Sequence, residues 1–129
     1  MIRYSDYIGD MGEEKALEFL IKKGYEFVDK NYHSRYGEID IIVKDKEYMV
    51  FVEVKTRKRG SLARPSEFVD IRKQRRILRT AKIYLSENLT DLQPRFDVIE
   101  VVYDKRTGVI VSIEHIENAF IQTDDYAAF

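Results

Sequence analysis

Apolar and polar residues recur along this chain in two periods, and the change of period marks its elements. In "GDMGEEKALEFLIKKG" (9–24), Ala16, Leu17, Leu20 and Ile21 fall at helical spacing, acids come early, Lys22 and Lys23 come late and Gly24 is a stop. "YEFVDKNY" (25–32) is a short strand candidate. "GEIDIIVK" and "EYMVFVEVKTR" alternate with period two about a polar turn near 45–47, the pattern of a β-hairpin. The stretch 57–66, with Gly60 and Pro65, reads as a loop, and Ser66 is a candidate cap for the next helix. "RKQRRILRTAKIYLSEN" (72–88) predicts that second helix, with Ile77, Leu78, Ala81 and Leu85 inward. "RFDVIEVVYD" and "GVIVSIEHI" predict two last strands around a turn at 105–108. The order helix, three strands, helix, two strands predicts an α/β or α+β fold, a sheet of about five strands with at least one helix on each of two layers.

Length and composition narrow this picture. A chain of 129 residues, 44% apolar, suits one ordered domain. No repeat or linker divides it, so residues 1–120 are expected as a single domain and 121–129, which lack periodicity, as a frayed tail. With no cysteine, disulfides, thiolate catalysis and Cys-based zinc sites are excluded. No apolar run approaches the ~20 residues of a membrane span, and the start is acidic where a signal peptide would be basic. A soluble, cytoplasmic protein with no membrane partner is expected.

The net charge of −1 conceals an asymmetry. Residues 55–82 hold eleven Lys or Arg against two acids, a local charge of +9 that leaves −10 for the rest. Such a segment suits a phosphate-rich partner, and it equally suits a solvated helix face and loop.

The hairpin carries charges that its apolar strands do not explain. Alternation puts Val50, Val52 and Val54 on one face of its second strand, and Met49, Phe51, Glu53 and Lys55 on the other. In its first strand Asp40 shares a face with Glu38 and Ile42, while Ile39, Ile41 and Val43 point the other way. A loop of about four residues would set Asp40 opposite Glu53. Glu13 falls on the inward stripe of the first helix, although alone it reads better as a first-turn acid favoured by the helix dipole. Two carboxylates ~4 Å apart repel by about 4 kcal/mol at an effective dielectric of 20, and burial adds to this. One lysine balances one carboxylate, so either a proton is taken up or a further cation binds. Carboxylates without His or Cys suit Mg²⁺ or Mn²⁺, which share their coordination with phosphate oxygens. Lys55 would then orient or activate a water and stabilise charge on phosphorus.

The acid on one strand followed by "EVK" on the next resembles the core of the PD-(D/E)XK, or restriction-endonuclease-like, nucleases, with Ile39 where that pattern has proline. More of the chain resembles the YraN-like family, related to Holliday-junction resolvases. "GDMGEEKALEFL", "KNYHSRYGEIDII", "VFVEVKTR", "RKQRRI" and "RFDVIEV" occur in that family's order. The resemblance implies a mixed sheet with flanking helices and a metal-dependent endonuclease acting on DNA. It implies Asp40, Glu53 and Lys55 as the catalytic core, Glu13 as a helix acid beside it, and the main-chain carbonyl of Val54 as a further metal ligand. A homodimer would fit an enzyme that cuts two strands symmetrically.

Arg57, Lys58 and Arg59 follow Lys55 directly and are expected to track a nucleic-acid backbone. Gln74, near the start of the second helix with Lys73 beside it, suits an approach to the site or a phosphate, and equally suits a half-buried helix end. Tyr32, His33, Arg35 and Tyr36 are weaker candidates, and Tyr at such positions more often packs. Asp97 is expected to pair with Arg95 or cap its strand. The competing readings are a nucleic-acid-binding module on a nuclease fold and an internal salt-bridge network without ligand.

Overall fold

In the computed structural model, which describes residues 3–61 and 70–120, the elements come in the expected order. They are α1 (Tyr4–Lys22), β1 (Glu26–Ser34), β2 (Gly37–Lys44), β3 (Tyr48–Lys58), α2 (Ile71–Glu87), β4 (Gln93–Tyr103) and β5 (Ile110–Ile116). The strands form one mixed sheet in the order β1-β2-β3-β4-β5. Neighbours are antiparallel except β3 and β4, which are parallel because α2 carries the chain back across the sheet between them. These two central strands are buried on both faces along most of their length, which is why their sequences are nearly continuous apolar runs.

Each face of the sheet has its own core. Ala16 and Leu20 of α1 pack with Ile41, Val43, Val50, Val52, Val54, Ile99 and Val101. Ile77, Leu78, Ala81 and Tyr84 of α2 pack with Ile42, Met49, Phe51, Phe96 and Val98 on the other side. The alternation expected for β3 is therefore found, valines toward α1 and Met49 and Phe51 toward α2.

Four details depart from the sequence expectations. First, α1 begins at Tyr4 rather than Gly9, running through two glycines. Gly12 has a steric reason: a Cβ there would lie 1.9 Å from Thr56 Oγ1, so only glycine lets α1 approach β3 so closely. Second, Ile21 is exposed, so the buried stripe of α1 is narrower than its apolar pattern. Third, the N-cap of α2 is Asp70, whose carboxylate accepts the Lys73 N–H at 2.9 Å. The cap expected at Ser66, like the tail expected at 121–129, lies outside the described residues. Fourth, Ile39 joins the α2-side core instead of facing with Ile41 and Val43, so the alternation of β2 breaks at Asp40. Among the described residues no helix is long and apolar enough to cross a membrane.

Candidate active site

The break in β2 creates the site. The β2–β3 ladder runs from Lys44–Met49 to Ile41–Val52, and the next pair in register would be Asp40 and Glu53. Here the side chain replaces the main chain: the Val54 N–H donates to Asp40 Oδ2 at 2.8 Å. Asp40 and Glu53 open into one cleft of about 280 Å³, lined also by Gly37, Glu38, Lys73, Arg76 and Ile77. Burial, then the charge of Glu53, push the Asp40 carboxyl up to about 8; Glu13 and Glu38 add to this and the Val54 N–H opposes it.

Glu53 is only 6% exposed, and two lysines converge on its Oε1. Lys73 Nζ lies 2.6 Å away and Lys55 Nζ 3.4 Å away. Burial and the neighbouring Lys73 hold Lys55 below the ordinary lysine range, against the pull of Glu53. Burial also works against the Lys73 ammonium, but Glu53 and Lys55 together carry it above that range. The same contacts thus move the two lysines in opposite directions, Lys55 downward and Lys73 upward.

Glu13 reaches the same region from α1. With α1 starting at Tyr4, Glu13 lies in the third turn, so a first-turn dipole no longer accounts for it. Burial raises its carboxyl pKa first, followed by Glu38, Asp10 and Glu53. Asn31 links two of these acids. With its amide nitrogen assigned toward them, it donates to Glu13 Oε1 at 3.0 Å and Glu38 Oε1 at 3.2 Å. Its φ of 52° is a left-handed conformation that Asn tolerates better than most residues. Asn31 escaped the sequence reading, although it lies inside "KNYHSRYGEID"; a polar residue in a strand and its departure from alternation were the available signals.

The donor set suits a hard divalent ion. Among the described residues no three His, Asp or Glu side chains gather closely enough to hold a metal by themselves. Asp40 and Glu53 offer two carboxylates. The Val54 carbonyl projects to the same side as its N–H, beyond the last β2–β3 pair, and offers a third oxygen. Two carboxylates, a carbonyl and positions left for water and phosphate match what Mg²⁺ and Mn²⁺ accept.

The expected phosphate contacts divide. Arg57 is taken up within the fold: its Nε and Nη2 donate to the Glu100 carboxylate and its Nη1 to the Ser61 carbonyl. Lys58 and Arg59 are exposed, and Arg59 Nη1 lies 4.0 Å from Asp104. Gln74 is half-buried one residue after Lys73, and its N–H donates to the Asp70 carbonyl. Two basic residues of α2 were not singled out from the sequence. Exposed Arg76 lines the cleft one turn beyond Lys73, and Arg79 lies 5.4 Å from the Tyr36 ring, which Arg35 also faces at 4.9 Å. Tyr32 packs edge-on against Tyr84 and donates to Glu87, a structural role.

A second charged cluster lies on the α1 side of the sheet. Buried Asp97 accepts from Arg95 at 2.8 and 3.0 Å, from the Asn118 N–H at 2.9 Å and from His115 Nε2 at 2.7 Å. Lys23 can only donate, so His115 Nδ1, 2.8 Å away, accepts, leaving Nε2–H to donate to Asp97. The pairing of Asp97 with Arg95 agrees with the sequence expectation.

The family model described as "Uncharacterised protein family UPF0102" matches residues 12–101, from Gly12 against Thr56 to Val101 in β4. The chain belongs to the UPF0102 family. It is 44% identical over 114 residues to a UPF0102 protein of Caldanaerobacter subterraneus subsp. tengcongensis, covering 88% of this chain and 93% of the relative. It is 46% identical to one of Acetivibrio thermocellus, covering 87% and 89%. It is 42% identical to one of Clostridium acetobutylicum, covering 93% and 98%. The UPF0102 match spans Glu13, Asn31, Asp40, Glu53, Lys55 and Lys73, so the whole cleft lies within the family's shared region.

Proposed function

We propose that this UPF0102 protein is a Mg²⁺- or Mn²⁺-dependent nuclease that hydrolyses DNA phosphodiester bonds, as a member of the PD-(D/E)XK superfamily. The observation that carries this reading is the meeting of Asp40 and Glu53 in one cleft, with Lys55 and Lys73 on the same glutamate oxygen. Asp40, Glu53 and the Val54 carbonyl would hold the ion. When bound, it would supply Lewis-acid stabilisation of charge on the phosphoryl oxygens and a more acidic water. Lys55, held below the usual lysine range, accepts the proton of the attacking water at Nζ. The water oxygen bonds to phosphorus, and one phosphorus–ester oxygen bond breaks with its electron pair going to the leaving oxygen. That oxygen takes a proton from solvent water, while Lys55 later returns its proton to solvent. Glu13, whose carboxyl burial and the neighbouring acids push upward, stands behind the site and is ordered with Glu38 by Asn31. Arg76, Lys58 and Arg59 give the phosphate backbone its electrostatic hold, without base readout.

One observation favours a second reading, a nucleic-acid-binding module without cleavage. The 2.6 Å pair of Lys73 and Glu53 already neutralises part of the site. Incubation with branched, single-stranded and duplex DNA, in Mg²⁺, in Mn²⁺ and in chelator, separates the two. Metal-dependent cutting that disappears in Glu53→Ala supports the nuclease. Salt-sensitive binding with no cutting under any condition supports the module.

A further inference from the structure

Lys73 stands at the junction of two needs, for it touches the glutamate proposed to hold the ion and lies on the helix that carries the phosphate-facing charges. Its main chain is fixed, because its N–H is bound by the Asp70 cap at the start of α2. Glu53 is fixed too, on a central strand and 6% exposed. The movable part of the pair is the lysine side chain, which is 35% exposed and ends 2.6 Å from Glu53 Oε1. The same oxygen already faces Lys55 at 3.4 Å. An ammonium that close takes up the space and the charge that a cation at Glu53 would use. Arg76, exposed one turn further on, lines the same cleft, and a phosphate held there would give the Lys73 ammonium a second anionic partner.

We propose that Lys73 is a built-in placeholder that couples divalent-ion binding to DNA binding. In the ion-free protein its ammonium neutralises Glu53. It leaves Glu53 when an ion binds there, and turns to the DNA phosphate. DNA therefore raises ion affinity by drawing Lys73 away, and the ion raises DNA affinity by releasing it; linkage requires the two effects to be equal. This rests on the nuclease reading in that it takes Glu53 as an ion ligand, and it adds a regulation of that site.

The test measures Mn²⁺ binding directly, from the electron paramagnetic resonance signal of free Mn²⁺, without DNA and without turnover. The variants are Lys73→Met, Lys73→Arg and Glu53→Ala, each checked for folding by circular dichroism. Lys73→Met is expected to bind Mn²⁺ more tightly than the wild type, by about tenfold, within the usual range of coupling between sites. Lys73→Arg keeps the cation and is expected to stay near the wild type. Binding to a short DNA should strengthen on adding Mn²⁺ in Glu53-intact protein and lose most of that gain in Lys73→Met. If Glu53→Ala abolishes Mn²⁺ binding but Lys73→Met binds no more tightly than the wild type, the placeholder falls while the metal site stands. If neither the wild type nor Lys73→Met binds Mn²⁺, the metal site itself is refuted, and this inference with it.

Discussion

At the scale of single residues, Asp40 decides how the site responds to pH. Its carboxyl titrates near 8 in the fold against an ordinary value of 3.8, so between those values the folded chain holds a proton that the unfolded chain has lost. More protons bound in the folded state means that stability falls as pH rises through this window. Melting temperatures in chelator should therefore drop from pH 5 to pH 8.5, and Asp40→Asn should flatten that slope. A divalent ion selects the ionised carboxylate, so stabilisation by Mg²⁺ or Mn²⁺ should be larger at pH 8 than at pH 5. An unchanged slope in Asp40→Asn would assign the pH response elsewhere. Gly12 is a residue-scale constraint of another kind. Gly12→Ala sets a methyl 1.9 Å from Thr56 Oγ1 and should cost ~1–3 kcal/mol in urea unfolding, part of it recovered in the double variant with Thr56→Ala.

At the scale of elements, α2 does two jobs with two faces. Ile77, Leu78, Ala81 and Tyr84 close the core, while Lys73, Arg76 and Arg79 project toward the cleft and the β1–β2 turn. Arg76→Ala should leave the fold intact, weaken DNA binding of all sequences alike and reduce the salt slope of binding by about 1. A titration of binding against salt concentration checks this, and an unchanged slope would remove Arg76 from the interface. The sequence showed that α2 was basic and which residues faced inward. It did not show that Lys73 reaches Glu53, because that contact depends on how α2 lies across the sheet. Arg57 illustrates the reverse. Next to Lys55 it reads as part of a phosphate-binding run, yet parallel pairing of β3 with β4 brings Glu100, 43 residues away, to its guanidinium.

At the scale of the whole molecule, the two faces of the sheet carry different polar clusters. The Asp40–Glu53 cleft lies under α2, and the Arg95–Asp97–His115 network ties β4 and β5 to the turn after α1. The second network is satisfied internally: burial works against the Asp97 carboxylate, yet His115, Arg95 and the Asn118 N–H hold its pKa below the usual range. Asp97→Ala should therefore destabilise the fold by ~3–5 kcal/mol, because it leaves Arg95 without its buried partner. Mn²⁺ affinity of the variant that remains folded should be unchanged. Urea unfolding together with ion titration checks both halves, and a loss of Mn²⁺ binding in folded protein would show that the clusters are coupled.

The sequence by itself determined the element order, the two-faced burial of β3 and the nearness of Asp40 to Glu53. Those features arise from local periods and from a short hairpin, where few residues separate the partners and register is set by the turn. Tertiary structure alone decided the break at Asp40, the swing of Ile39 to the α2 side, the bridge made by Asn31 and the convergence of Lys73 with Lys55 on one oxygen. Each depends on where a helix or a distant strand comes to rest on the sheet. That placement is set by packing summed over the whole core, and no local pattern of residues carries it.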